Sequence, residues 1–400
     1  MAKVVPFKAI RPKRDKAGLI ASRSYLSYSQ KTLKEKLENN PYTFLHIINP
    51  DYKSQKKSKG IAKFKLVKKK YKEFIKEGHL FQDKKACYYI YLQENSQYRY
   101  IGIIAGSSVK DYINNQIKKH EHTITKREKM FKDYLETTGF NADPVLLCHP
   151  RNLAIKKIIK KYEELRSEYE FTTTNKTLHK LWVVNNMNDI RNISKIFEKM
   201  NTLYIADGHH RCASSALLSK NKKNNNNYFM SFLIDENQLH VTSFNRLIKK
   251  LNNLTTNQLL TQIKDRFNII QNKSCTPTKK DEIGMYLEGK SYLLKLRKEN
   301  KENDCVNKLD PAILSNNILQ PILNIIDEKT DKNIKFMSGK VNFEKIKELI
   351  DNREYQVAFI LKPIPIKAIK EVADKNKFMP PKSTYIEPKL RSGLTIYPLE

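Results

Sequence analysis

Apolar positions fall into distinct patterns along the chain. Phe64, Val67, Tyr71, Phe74 and Ile75 recur at spacings of one to four in a Lys-rich stretch, predicting an amphipathic helix within residues 51–80. Residues 87–92 and 100–105 are short apolar runs parted by polar residues, which predicts two buried strands of a hairpin. Ser108-Val109-Lys110-Asp111 then reads as a helix start with Ser108 as its cap. Upstream of these, residues 4–12 read as an extended run closed by Pro12.

The middle of the chain carries the clearest strand–loop–helix alternation. Residues 181–184 predict a strand, and residues 189–200 a helix with Ile190, Ile193, Ile196 and Phe197 inward. Residues 202–206 predict a second strand that runs straight into Asp207-Gly208-His209-His210-Arg211. The small-residue run at 212–217 predicts a helix opening at that loop. Residues 228–234 and 239–244 read as a strand pair joined by 235–238, and the four asparagines at 224–227 as a linker or surface loop. Residues 255–350 predict two or three amphipathic helices. The tail from 378 onward holds Pro, Lys and Gly and predicts no helix. No internal repeat is visible. The expected fold class is mixed α/β (α+β), in three segments: an N-terminal α/β lobe at 1–110, a central lobe at 111–260, and a helical lobe at 261–400 whose basic tail packs back toward the site.

Composition narrows the function. In 400 residues, 40% are hydrophobic and 29% charged, as in globular proteins, and no apolar run reaches membrane-spanning length. The first residues lack an apolar signal core, so a cytoplasmic protein is expected. Five scattered cysteines in no metal spacing predict reduced, buried thiols. The net charge is +33, which favours anionic ligands. Of the 75 cations 61 are Lys and 14 Arg, whereas base readers lean on the Arg fork. Charge alone therefore does not make a nucleic-acid protein: nucleic acid, anionic lipid and small phosphorylated ligands all fit it.

Three clusters carry candidate chemistry. Asp207 to Arg211 gathers a carboxylate, a glycine, two imidazoles and a guanidinium where a strand meets a helix start, a natural anion site. Gly208 allows close approach, Arg211 can grip phosphate, His209 and His210 can donate to it, and Asp207 can hold Mg²⁺. Adjacent histidines do not match the paired spacing of a zinc helix. The second cluster, Lys118-Lys119-His120-Glu121-His122-Thr123, is expected at the end of the helix that starts near Ser108. It offers Glu121 as a general base and Lys118, His120 and Thr123 as phosphate contacts. The third, at 380–393, includes Lys382 as a further phosphate contact. Arg11, Asn245 and Arg246 are lesser candidates for substrate binding. No P-loop, dinucleotide fingerprint or kinase-type catalytic loop is present.

These motifs, in order, resemble those of the DUF1015 family. The resemblance rests on residues 6–12, 40–46, 117–123, 203–214 and 379–385. The Asp-Gly-His-His-Arg loop is similar to that of ParB/sulfiredoxin-like free-serine kinases. The resemblance implies a ParB/sulfiredoxin-like core and phosphorylation of free L-serine to O-phospho-L-serine with Mg²⁺, serving serine metabolism and cysteine biosynthesis. It places inorganic diphosphate as donor, with ATP or ADP as the alternatives, Asp207 and His210 as catalytic, and Glu121 as the base. At 22–28 the chain departs from a Pro-Pro-Tyr-Asp pattern common in the family. The contrasting reading is a ParB-like nucleic-acid-binding protein, which the missing helix-turn-helix and scarce Arg disfavour.

Overall fold

The computed structural model describes residues 2–220 and 227–399. The chain divides into two compact units: Met1–Lys119, Thr123–Leu239 and Pro388–Glu400 form the first, His120–His122 and His240–Glu387 the second.

In the first unit nine strands form one mixed sheet among the described residues: Val4–Val5 (β1), Tyr88–Glu94 (β2), Arg99–Ser108 (β3), Ile117–Lys118 (β4), Val145–His149 (β5), Tyr169–Thr172 (β6), Leu178–Val184 (β7), Leu203–Asp207 (β8) and Tyr228–Asp235 (β9). Their order is β4-β8-β5-β9-β3-β2-β7-β6, with β1 beside β3. The β8–β4 and β9–β5 pairs are parallel and the rest antiparallel. The two expected hairpin strands are β2 and β3. They are apolar nearly throughout because both faces of the sheet centre are covered.

Two helices, Leu153–Glu163 and Met187–Glu198, are started by Asn152 and Asn186, whose side chains accept from first-turn N–H groups. Ile155, Ile159, Ile190, Ile193 and Phe197 join Ile90, Leu147 and Ile205 in one core cluster, and Ile196 packs at its border. The Lys-rich helix spans Gly60–Lys76 and buries Val67, Tyr71 and Phe74. Ile75, expected inward, is 37% exposed because its position lies outside the core-facing arc. All five cysteines are buried and none is in a disulfide.

The second unit holds a six-stranded antiparallel sheet: Phe244–Ile248 (β10), Phe267–Asn272 (β11), Glu282–Leu287 (β12), Lys290–Leu296 (β13), Ile334–Ser338 (β14) and Val357–Ile360 (β15), ordered β11-β13-β12-β15-β10-β14. Helices Thr256–Lys264 and Phe343–Asp351 accompany it; Thr255 and Gln258 close a capping box on the former.

Four expectations are corrected here. The lobe at 261–400 is not helical: it supplies five of the six strands of this sheet. Its β12–β13 turn, Glu288-Gly289, has φ of 45° and 73°, a hairpin turn without the usual Asn-Gly or Asp-Gly signature. Residues 228–234 and 239–244 are not a pair. β9 lies between β5 and β3, whereas His240–Thr242 pairs with Tyr385–Glu387 and β10 with β14 and β15. The segments 1–110, 111–260 and 261–400 are regrouped, because β3 in the first pairs with β9 in the second along seven residues. The helix capped by Ser108 ends at Ile113, so residues 120–123 are not a helix terminus. The asparagine run lies largely outside the described residues.

Candidate functional site

The Asp207 loop forms because β8 ends irregularly. Ile205 pairs with Leu147, yet the next pair is Asp207 with Leu146, leaving Ala206 as an extra residue. Such a bulge bends a strand and re-aims the side chain beyond it. Gly208 follows at φ 106° and ψ 27°, in the left-handed region, and begins the helix His209–Ser219. A Cβ at this position would stand 3.1 Å from the Arg211 guanidinium, a tight contact the long side chain can relieve, so it is the left-handed dihedrals that call for glycine. No side chain caps this helix. A helix start presents N–H groups without intrahelical acceptors, and its dipole favours an anion.

Charge at the loop is unbalanced toward the positive. The half-exposed Asp207 places Oδ2 3.1 Å from Lys389 Nζ and 3.6 Å from Arg211 Nη2. One carboxylate thus faces two cations. Arg211 also donates to the Pro144 carbonyl, which fixes the guanidinium beside Gly208. His209 is buried at the first helical position and His210 half-buried beside it. Lys118 lies in β4, paired with Tyr204 of β8, so it shares this sheet edge. Thr123 Oγ1 donates to Glu128.

The second unit brings the other two motifs together. Met379 N–H donates to the buried His120 carbonyl at 2.9 Å, and the His122 ring stacks on Phe378 at 3.9 Å. Burial, with Lys329 nearby, pushes the His122 pKa below its ordinary value. Glu121 is half-buried between the two histidines. Lys382 is exposed, with φ of 53° and its ammonium 5.4 Å from the Phe244 ring centre.

The three lesser candidates are engaged within the fold. Arg11 donates through Nε to both carboxylate oxygens of Asp83 at 2.9 and 2.8 Å, and through Nη1 to Glu168 and Tyr169. Asn245 and Arg246 lie inside β10 rather than after a strand. Asn245 accepts from the Leu361 N–H. Arg246 is fully buried, donates to the Phe244 and Pro381 carbonyls, and has Glu328 3.6 Å from Nε. Desolvation lowers its pKa despite Glu328.

Asp83, Glu168, His179 and Glu328 gained no assigned role from the sequence, and Lys389 only a place among the tail cations expected near the site. Their partners stand far away along the chain, 182 positions between Asp207 and Lys389, and no local pattern marks such pairs. A cavity of about 350 Å³ at Tyr162, Arg166, Trp182 and Asp189 contains none of the motif residues. Its Asp189 carboxylate is taken by Lys161 and Tyr162. Among the described residues no helix is long and apolar enough to cross a membrane.

Fold and loop together define a mixed α/β protein in which a bulged strand runs into an uncapped helix beside two cations. The chain belongs to the DUF1015 family, described as a protein of unknown function, whose profile matches residues 4–312. No protein of curated function matches it. Similar solved structures include a free serine kinase mutant in complex with AMP, 13% identical over 79% of this chain and 93% of that one, at a TM-score of 0.41. Another is C-terminally truncated SbnI from Staphylococcus aureus, 12% identical over 74% and 87%, at 0.42. A conserved hypothetical protein from Pyrococcus furiosus is 15% identical over 71% and 92%, at 0.37.

Proposed function

We propose that the protein is a phosphotransferase that moves a phosphoryl group from inorganic diphosphate to the hydroxyl of free L-serine. The observation that carries this reading is the Asp207 loop, where a left-handed glycine, an uncapped helix start and two cations against one carboxylate stand together. Phosphoryl transfer is catalysed chiefly by positioning and charge neutralisation. Arg211, Lys389, Gly208, His209 and His210 hold the donor in this reading, and a donor without base or ribose needs no nucleotide pocket. Lys118, His120, Thr123 and Lys382 serve as further phosphate contacts. Arg11, Asn245 and Arg246 act indirectly, by holding the strands that carry the sites.

Mg²⁺ is commonly held by one or two carboxylates together with substrate phosphates. Among the described residues no group of three or more His, Cys, Asp or Glu makes a protein-only metal cage. Asp207, at the head of the loop, fits the mode shared with phosphate, and a bound ion would neutralise charge on the donor. Glu121 takes the serine hydroxyl proton, a role typically worth about 10²–10⁴-fold.

The test is a donor screen. The full chain is incubated with free serine and diphosphate, ATP or ADP, and O-phosphoserine is read by mass spectrometry. Product with diphosphate supports the reading; product with ATP alone removes the donor assignment; none with any donor removes the enzyme. Glu121→Gln should lower the transfer rate at least about 10²-fold with little change in diphosphate binding. A loss of donor affinity alone would move Glu121 to the phosphate contacts.

A further inference from the structure

A second cluster of the first unit has more uncompensated positive charge than the Asp207 loop. Ser22 and Ser392 form an isolated antiparallel bridge, with N–H to carbonyl bonds in both directions at 3.2 and 2.8 Å. Antiparallel pairing at 22 and 392 sets Arg23 opposite Arg391. Like charges directly opposite on paired strands destabilise a fold. No carboxylate forms an ion pair with either arginine among the described residues, and Asp143, beside the bridge, accepts from Ser392 Oγ.

The fold nevertheless fixes Arg391 firmly. Its Nε donates to His179 Nε2 at 3.2 Å and its Nη1 to the Ala21 carbonyl at 3.3 Å. Since arginine only donates, His179 accepts at Nε2 and its Nδ1–H points to Tyr91 Oη, 2.8 Å away. Burial and the two arginines push the His179 pKa down to about 3, so the ring stays neutral and brings no counter-charge. Two of the five N–H groups of Arg391 are thus used in orienting it. The Arg23 side chain stands exposed. Ser22, one position earlier, turns its side chain to the opposite, buried face of the pairing and is 3% exposed. The Tyr28 hydroxyl, which accepts from the Arg23 N–H at 3.0 Å, adds a polar edge.

We propose that Arg23 and Arg391 form a subsite for a phosphoryl group. The charge selects the ligand: two facing cations match a dianionic phosphoryl group better than a single carboxylate, and an arginine fork binds phosphate oxygens bidentately. The inference deepens the phosphotransferase reading, because Arg391 stands two residues from Lys389 of the Asp207 loop, about 7 Å along an extended chain. The phosphoryl group belongs to the donor or to the phosphorylated product.

Calorimetric titration of the full chain with inorganic phosphate tests the subsite, and parallel titrations with diphosphate, O-phosphoserine and L-serine identify the source. Arg23→Gln touches no bonded side chain and should weaken phosphate at least tenfold while leaving L-serine unchanged. Ligand-free, it should melt no lower than the parent, since one of two repelling charges is gone, and it should gain less from added phosphate. Arg391→Lys keeps the charge but loses the fork, and should weaken phosphate as well. A loss for diphosphate assigns the group to the donor, and one for O-phosphoserine to the product. Unchanged phosphate affinity in both variants, or a loss confined to L-serine, overturns the subsite. If no phosphoserine forms with any donor yet phosphate binding still depends on Arg23, the subsite stands and the phosphotransferase reading falls.

Discussion

The Arg11 cluster and the Asp207 loop are inverse arrangements within one unit. At Arg11 one buried cation meets two carboxylates, Asp83 and Glu168, and its side chain is 9% exposed. At Asp207 one half-exposed carboxylate meets two cations, Lys389 and Arg211. The first arrangement is closed: the guanidinium already has its acceptors, and Tyr169 completes them. The second is left with surplus positive charge at a helix start, where a further anion would be bound. An arginine is therefore read as structural or receptive from its partners rather than from its place in a motif.

The largest effect expected from this contrast is on stability. Arg11→Met leaves Asp83 buried without its cation and should cost about 3–5 kcal/mol in denaturant unfolding. A cost below about 1 kcal/mol would mean the cluster is not closed, and Arg11 would return as a substrate contact.

Asp207→Asn should behave in the opposite way. Its ion pairs are partly exposed, so stability should change by no more than about 1 kcal/mol. Turnover should fall at least about a hundredfold, near 2.7 kcal/mol of barrier. If more than about a tenth of the activity survives, Asp207 has no part in the chemistry.

Asp310 is the carboxylate counterpart of an unpaired arginine. It is 8% exposed, and burial pushes its pKa up to about 6, partly offset by a hydrogen bond from the Asp281 N–H. The folded state then keeps a proton that the unfolded chain releases near pH 4. Stability falls as pH rises from about 4 to about 6, by up to about 3 kcal/mol, and is flat above. Asp310→Asn should flatten that window in pH-dependent unfolding. An unchanged slope would show that Asp310 is not its source.

The smallest effect belongs to Lys389→Ala. The apparent KM for the phosphate donor should rise several-fold, about 1 kcal/mol, with the KM for serine unchanged, and the difference should shrink as salt rises. A change in serine KM alone would place Lys389 on the acceptor side.

Much of the first unit was legible in the sequence. The apolar runs of β2 and β3, the spacing of Ile190, Ile193 and Phe197, and the Ser108 cap are local signals, and the structure has them within a few residues. The strand-to-helix change at Asp207 was equally local. The second unit was less legible: β11 to β14 are short, half-polar strands, and β12–β13 turns through Glu288-Gly289, which lacks the usual hairpin residues. Amphipathic helices alone stood out there.

The sequence by itself determined which stretches become helix or strand wherever apolar spacing was strong, and that one loop gathers Asp207, Gly208, His209, His210 and Arg211. Those outcomes depend on neighbours a few positions apart. The tertiary structure decided which charges are neutralised: Asp83 and Glu168 close Arg11, Glu328 approaches Arg246, and Lys389 reaches Asp207. These pairings span 72 to 182 positions. The physical reason is that electrostatic compensation depends on distance in space and on burial, and neither is encoded by the residues adjacent in the chain.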